Sequence, residues 1–136
     1  IDDYLKHQRR ILKCIGNHVY DALAATGTKV HKPQGGFYLN PDFSPFKDKF
    51  AAKGINTSEQ LCEHLLKDTG VAILPGNAFG YPEEHLITRL AYVDFDGTNA
   101  LNISEEYGDK ELDQAFLEQH CPKIVEGTKR LVAWLS

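Results

Sequence analysis

Several classes of protein are excluded by what this sequence has little of. Its 136 residues hold 15 Lys and Arg against 19 Asp and Glu, and the formal net charge is −4. Without a surplus of basic residues, we expect no nucleic-acid partner. The longest apolar runs are far shorter than a membrane span, and no signal peptide is recognisable, so we expect a cytoplasmic protein without membrane contact. Because the chain starts at Ile1, we expect it to be a piece of a longer protein.

Cysteine and metal-ligand patterns are also sparse. The three cysteines, Cys14, Cys62 and Cys121, are odd in number and widely spaced, which argues against a disulfide framework and for a reducing compartment. The six histidines show no metal-ligand spacing, and no Cys-x-x-Cys occurs. We therefore expect no metal site.

The apolar residues that are present recur mainly at helical spacing. The first 27 residues predict a helix that ends at Gly27, and residues 46–52 predict a short one. Thr57-Ser58-Glu59-Gln60 has the form of a capping box and opens a helix with an apolar stripe of Leu61, Leu65 and Leu66. Towards the C-terminus two further helices are predicted, the second beginning at Pro122, with inward-facing Ile124, Val125, Leu131, Val132 and Leu135.

Strand-like segments alternate with these helices. We predict that residues 28–31, 36–40, 71–74 and 87–93 form most of one small sheet, on which the N-terminal and C-terminal helices pack together. The order of elements indicates an α+β fold with helices on one face of the sheet. A chain of 136 residues fits a single domain.

Arg89 is the most informative polar residue. It interrupts the apolar strand Ile87-Thr88-Arg89-Leu90-Ala91-Tyr92, which follows a loop rich in Gly and Pro. A buried guanidinium needs a carboxylate or phosphate to match its fork, so Arg89 is a candidate anion receptor. From the residues alone, an edge-strand position or a structural salt bridge is the favoured explanation.

Three segments in order resemble one enzyme family. Pro33-Gln34-Gly35-Gly36-Phe37-Tyr38-Leu39-Asn40-Pro41-Asp42, Val71 to Gly80 with its Pro-Gly-Asn-Ala-Phe-Gly, and Thr88-Arg89-Leu90-Ala91-Tyr92 are similar to motifs of the class I/II, fold-type-I aminotransferases. The resemblance covers nearly the whole chain. It identifies residues 1–136 as the C-terminal small domain, with a mostly antiparallel sheet and with residues 1–27 as the helix that joins a large domain.

The resemblance also implies a site. In this family the arginine of the late strand binds the substrate α-carboxylate, and that residue is Arg89 here. Phe37, Asn77 and Phe79 are then candidate linings of the cleft, although core packing and turn formation explain them as well. The implied cofactor is pyridoxal phosphate, the implied substrates are an amino acid and a 2-oxo acid, and the implied assembly is a homodimer.

The catalytic residues of that family are expected outside this chain. The lysine that forms the Schiff base lies in the large domain, and none of the lysines here, such as Lys29, Lys53 or Lys67, has its sequence context. We expect the isolated chain to be inactive, not to bind the cofactor, and to expose an apolar patch near the first helix or Phe79. Two alternatives remain open: a lyase or synthase with the same cofactor and fold, and a free-standing binding or interaction domain without cofactor.

Overall fold

The described part of the chain contains five α-helices with defined bounds and a small three-stranded sheet. The computed structural model describes residues 2–31, 38–91, 106, 108 and 112–136. The helices are α1 (Asp2–Ala25), α2 (Lys47–Ala51), α3 (Ser58–Thr69), α4 (Gln114–His120) and α5 (Pro122–Leu135). The strands are β1 (Tyr38–Leu39), β2 (Leu74–Pro75) and β3 (Thr88–Ala91), and two 3₁₀ turns cover Ser44–Phe46 and Gly76–Phe79.

Helix α1 supplies one wall of the core because its apolar residues recur at helical spacing. Five of its apolar residues are buried: Ile11, Leu12, Ile15, Val19 and Leu23. The chain then turns at Gly27, where φ is +92°, a backbone conformation that glycine adopts without strain. Helix α1 packs against α4 and α5, so the predicted association of the N-terminal and C-terminal helices is confirmed.

Helix α3 begins with the predicted cap. The Thr57 hydroxyl oxygen accepts a hydrogen bond from the Gln60 N–H (3.1 Å), and Gln60 Oε1 accepts one from the Asn56 N–H (2.8 Å). Of the predicted stripe, Leu61 and Leu65 are fully buried, but Leu66 is 52% exposed. The prediction for Leu66 was wrong because this residue lies next to the buried face of the helix and not on it. Cys62 is the third apolar residue of that face.

The sheet has the order β1-β3-β2, and both pairings are antiparallel. Leu90 pairs with Leu39, and Arg89 pairs with Leu74. Helix α1 contacts β1 and α3 contacts β2, so helices cover one face. The predicted α+β class with a small antiparallel sheet is confirmed.

Two predicted strand boundaries were wrong. Among the described residues, 28–31 join the sheet region only through an isolated bridge, in which Lys29 and Asp42 exchange backbone hydrogen bonds of 3.1 and 2.8 Å. Residues 71–73 precede the strand, which starts at Leu74. Short runs of β-branched and apolar residues do not specify which backbone groups find a partner strand. The predicted residues 36, 37, 92 and 93 lie outside the described residues.

The C-terminal helices complete the core. The Asp113 carboxylate caps α4 by accepting a hydrogen bond from the Phe116 N–H (3.0 Å), and Pro122 is the first residue of α5, as predicted. The α5 residues Ile124, Val125, Leu131 and Leu135 are buried, while Val132 is only partly so. No helix in the described part of the chain combines the length and apolar character needed to cross a bilayer.

Candidate functional site

The described helices leave one face of the sheet open, and Arg89 lies on it. Side chains alternate along a strand and directly paired residues share a face, so Arg89, Leu74, Ala91 and Tyr38 project to the same side. Tyr38 is 46% exposed and Leu74 is 52% exposed. The neighbouring β3 residue Thr88 projects to the covered side and is fully buried.

Two aromatic rings hold the Arg89 guanidinium. Its Cζ atom lies 4.4 Å from the centre of the Tyr38 ring and 4.3 Å from the centre of the Phe79 ring. Both distances are within the range of a cation–π contact. We call Tyr38 and Phe79 the aromatic pair. Tyr38 comes from β1 and Phe79 from the turn after β2, so the pair approaches Arg89 from the two strands that flank β3.

The hydrogen-bonding groups of this guanidinium are not used within the described residues. Arg89 Nε is buried without a hydrogen-bond partner there, and no carboxylate of the described chain forms a salt bridge with Arg89. Elsewhere on the surface, Arg130 is paired: its Nε donates to the Glu126 carboxylate (3.1 Å) and Nη1 to the Thr69 carbonyl (3.2 Å). The N–H donors of the Arg89 guanidinium are therefore available to a partner from outside these residues.

The turn after β2 places Phe79, and two glycines make it possible. The Gly76 N–H donates to the Ile87 carbonyl (2.8 Å), and a Cβ at this position would lie 2.6 Å from that oxygen. Gly80 ends the turn with φ +101°, which is costly for other residues. The Phe79 ring also packs edge-on against Tyr81, with centroids 5.6 Å apart at 87°.

The structure brings together two of the four candidate residues, Arg89 and Phe79. Asn77 lies exposed in the same turn, and no hydrogen bond joins it to Arg89 in the described part of the chain. Phe37 lies outside the described residues. Tyr38 was not predicted as a site residue, although strict alternation in the short run before Asn40 would have placed Tyr38 and Leu39 on opposite faces.

Lysine is the residue type through which pyridoxal phosphate is held as a Schiff base. Lys49 donates to the backbone carbonyls of Leu135 (2.7 Å) and Ser136 (2.5 Å), and every other described lysine is exposed. No group of three or more His, Cys, Asp or Glu side chains in the described ranges is arranged to hold a metal ion. What the chain does offer is a guanidinium on an open face, which fits a carboxylate.

The buried thiols offer no reactive group. Burial, helped by the charges of Glu59 and Glu63, raises the pKa of Cys62 from 9.0 to about 12. Burial likewise raises the pKa of Cys121 to about 11. A thiol is a nucleophile only as the thiolate, so neither cysteine is suited to catalysis at neutral pH.

Comparison with known proteins gives relatives that include aminotransferases and a synthase. An aspartate aminotransferase from Bacillus sp. (strain YM-2) is 33% identical over 105 residues, which are 76% of this chain and 24% of that protein. The 1-aminocyclopropane-1-carboxylate synthase 6 of Oryza sativa subsp. japonica is 35% identical over 78 residues, which are 57% of this chain and 14% of that protein. The chain spans about a quarter or less of the length of the curated relatives it matches.

The fold has the same relatives. A crystal structure of an aminotransferase from Mycobacterium tuberculosis superposes with a TM-score of 0.59 at 23% identity, covering 92% of this chain and 24% of that one. The family model "Aminotransferase class I and II" matches residues 1–95, which include all three strands, Arg89 and the aromatic pair. The chain therefore belongs to the class I and II aminotransferase family.

Proposed function

We propose that this chain is the C-terminal small domain of a pyridoxal-phosphate-dependent aminotransferase, and that Arg89 binds the α-carboxylate of the substrate. Residues 1–136 form the small domain, and residues 1–27 join it to the large domain. The substrates of the full-length enzyme are an amino acid and a 2-oxo acid. Two findings support this assignment: the chain belongs to the family, and it matches only about a quarter of the length of a full-length relative.

The observation that carries the proposal is the state of Arg89. Its guanidinium lies on the open face, in contact with two aromatic rings, and no carboxylate of the described residues binds it. A planar guanidinium matches a carboxylate through two parallel N–H···O bonds. An arginine that already had an internal carboxylate partner would not be available for this role.

The chemical task of Arg89 is to orient the substrate. A carboxylate held at two points cannot rotate, so the bond to the α-hydrogen keeps one direction. Pyridoxal phosphate, when bound by the full-length enzyme, supplies the electron sink for amino transfer. The residues that hold it and move the proton belong to the large domain. This chain contributes the substrate's carboxylate site.

The test is Arg89→Lys in the full-length enzyme. Lysine keeps the charge but loses the bidentate fork, and a lost contact of a buried charge costs about 2–5 kcal/mol. We expect kcat/KM for the amino acid to fall by about thirtyfold to several thousandfold. For an amine that lacks the α-carboxylate, kcat/KM should fall little, because this substrate has no group for Arg89 to bind.

Arg130→Lys is the matched control. Arg130 lies on α5, where it donates hydrogen bonds to Glu126 and to the Thr69 carbonyl. It is not one of the candidate site residues. This variant should retain full activity. Unchanged turnover of the amino acid by Arg89→Lys would show that Arg89 is a structural residue and would remove the proposal.

A second candidate function follows from the 1-aminocyclopropane-1-carboxylate synthase relative. Its 35% identity over 57% of this chain is comparable to that of the aminotransferases. A small-domain arginine that binds an α-carboxylate serves either reaction, since the reaction type depends on residues of the large domain. Incubating the full-length enzyme with an amino donor and a 2-oxo acid, and following the cofactor spectrum, distinguishes them: only a transaminase transfers the amino group to the 2-oxo acid.

The open face also suggests where the large domain packs. Tyr38, Leu74 and Tyr81 are among the exposed large apolar side chains, and all lie near Arg89. We propose that the large domain covers this face and that the full-length enzyme is a cytoplasmic homodimer. Sedimentation of the full-length enzyme tests the homodimer, which a monomeric mass would contradict.

A further inference from the structure

We infer that Tyr38 and Phe79 are positioning residues that hold the Arg89 guanidinium in place while leaving its N–H groups available to the substrate. This inference rests on the proposed function of Arg89 and extends it to two further residues. Its basis is the geometry of the aromatic pair, whose ring centres lie 4.4 and 4.3 Å from Arg89 Cζ.

The need for such a device follows from the position of Arg89. It is half-buried, and its Nε is enclosed without a hydrogen-bond partner among the described residues. A carboxylate neighbour would stabilise the charge, but it would also occupy the fork. An aromatic face attracts the cation through the ring quadrupole and uses no N–H donor. The aromatic pair therefore stabilises the charge without competing with a substrate.

The supports of the two rings make the arrangement stiff. Tyr38 belongs to β1, whose register on β3 is set by the pairs Tyr38–Ala91 and Leu39–Leu90. The Phe79 turn is tied to β3 through the hydrogen bond between Gly76 and Ile87. Each ring is thus anchored to the strand that carries Arg89, and the side chain loses freedom before any substrate binds.

The experiment replaces each ring by an apolar residue without a π-face in the full-length enzyme. Cation–π contacts contribute about 0.5–2 kcal/mol, so Phe79→Leu should raise KM for the amino acid by about two- to thirtyfold, with a smaller change in kcat. The Kd of 2-methylalanine, which keeps the carboxylate but has no α-hydrogen to lose, should rise by the same factor. Turnover of an amine without a carboxylate should not change.

A second variant keeps the test decisive where Phe79→Leu unfolds the turn. Tyr38→Leu keeps an apolar side chain at this position, so it should preserve packing and raise KM and Kd in the same way. Tyr38→Phe restores the ring and should recover most of that loss. Leu66→Ala, at an exposed apolar position on α3, is the control for a general loss of apolar surface.

The outcomes separate this inference from the proposed function. If Arg89→Lys impairs amino-acid turnover but both leucine variants leave the Kd of 2-methylalanine unchanged, the aromatic pair has no positioning role. Equal losses for the amino acid and the amine would also overturn the inference, because they would indicate damage to the fold. If Arg89→Lys itself has no effect, the proposed function fails first.

Discussion

The two faces of the three-stranded sheet differ in what their side chains contact. On the covered face, Leu39 is 3% exposed, and Thr88 donates its hydroxyl to the Pro41 carbonyl at 2.9 Å. On the open face, Leu74 is 52% exposed, and Arg89 contacts two rings but no carboxylate among the described residues. The side chains of the covered face find their packing and hydrogen-bond partners within the chain. The second face presents a cation and apolar surface that suit an outside partner, so the side that stabilises the fold and the side that we propose for binding lie on opposite faces of the same strands.

The largest expected effect is a loss of stability from a substitution on the covered face. Leu39→Ala removes a buried side chain from β1 and should lower the free energy of unfolding by about 2–5 kcal/mol. The adjacent Tyr38→Ala should lower it by about 1 kcal/mol or less, because the half-exposed ring has little buried surface to lose. Urea unfolding of the two variants measures the difference, and equal losses would contradict the division between the faces.

Gly76→Ala tests how the open face is built. A Cβ at this position meets the Ile87 carbonyl oxygen at 2.6 Å, so the turn must move away from β3. We expect a loss of about 1–3 kcal/mol in unfolding free energy, as for other overpacked sites. Binding of 2-methylalanine to the full-length enzyme should weaken as well, since Phe79 moves with the turn. Ala78→Gly, in the same turn, is the control for added flexibility, and a fully stable Gly76→Ala enzyme would show that the close approach is not required.

A smaller effect is expected from the covered side of β3. Thr88→Val keeps the shape of the side chain and removes the hydroxyl that donates to the Pro41 carbonyl. The loss should be about 0.5–1.5 kcal/mol, because the Thr88 N–H still donates to that carbonyl at 3.0 Å. Denaturant unfolding checks the magnitude, and substrate affinity should stay the same. Weaker substrate binding without a change in stability would contradict the assignment of Thr88 to the structural face.

The smallest expected effect is a difference in the reactivity of the cysteine thiols, which leaves the stability of the protein unchanged. With its pKa raised from 9.0 to about 12, the Cys62 thiol is about a thousandfold less ionised at pH 8 than an ordinary one. The folded protein should therefore alkylate at the half-buried Cys14 well before Cys62 or Cys121. Mass spectrometry after iodoacetamide treatment at pH 8 identifies the sites. Rapid labelling of Cys62 would show that α3 opens to solvent.

Local signals in the sequence predicted the helices well. The spacing of Ile11, Ile15 and Val19, the cap at Thr57 and the proline at position 122 act within one or two turns, and the structure has a helix at each place. The strands were predicted less well, since residues 28–31 form only a bridge. A strand is stabilised by partners that are distant in sequence, and short segments do not encode which partner they meet.

The candidate site divides in the same way. The sequence alone determined the α+β class and the helical core, because periodicity is a local feature. It also indicated Arg89 as a candidate site residue, because an arginine within an apolar strand is a local feature and three motifs resemble one family. Only the tertiary structure decided that Tyr38 joins Phe79 at the Arg89 guanidinium and that Leu66 faces outward. The physical reason is register: Tyr38 lies 51 positions before Arg89 in the numbering, and only the pairing of β1 and β2 on either side of β3 places both rings on one cation.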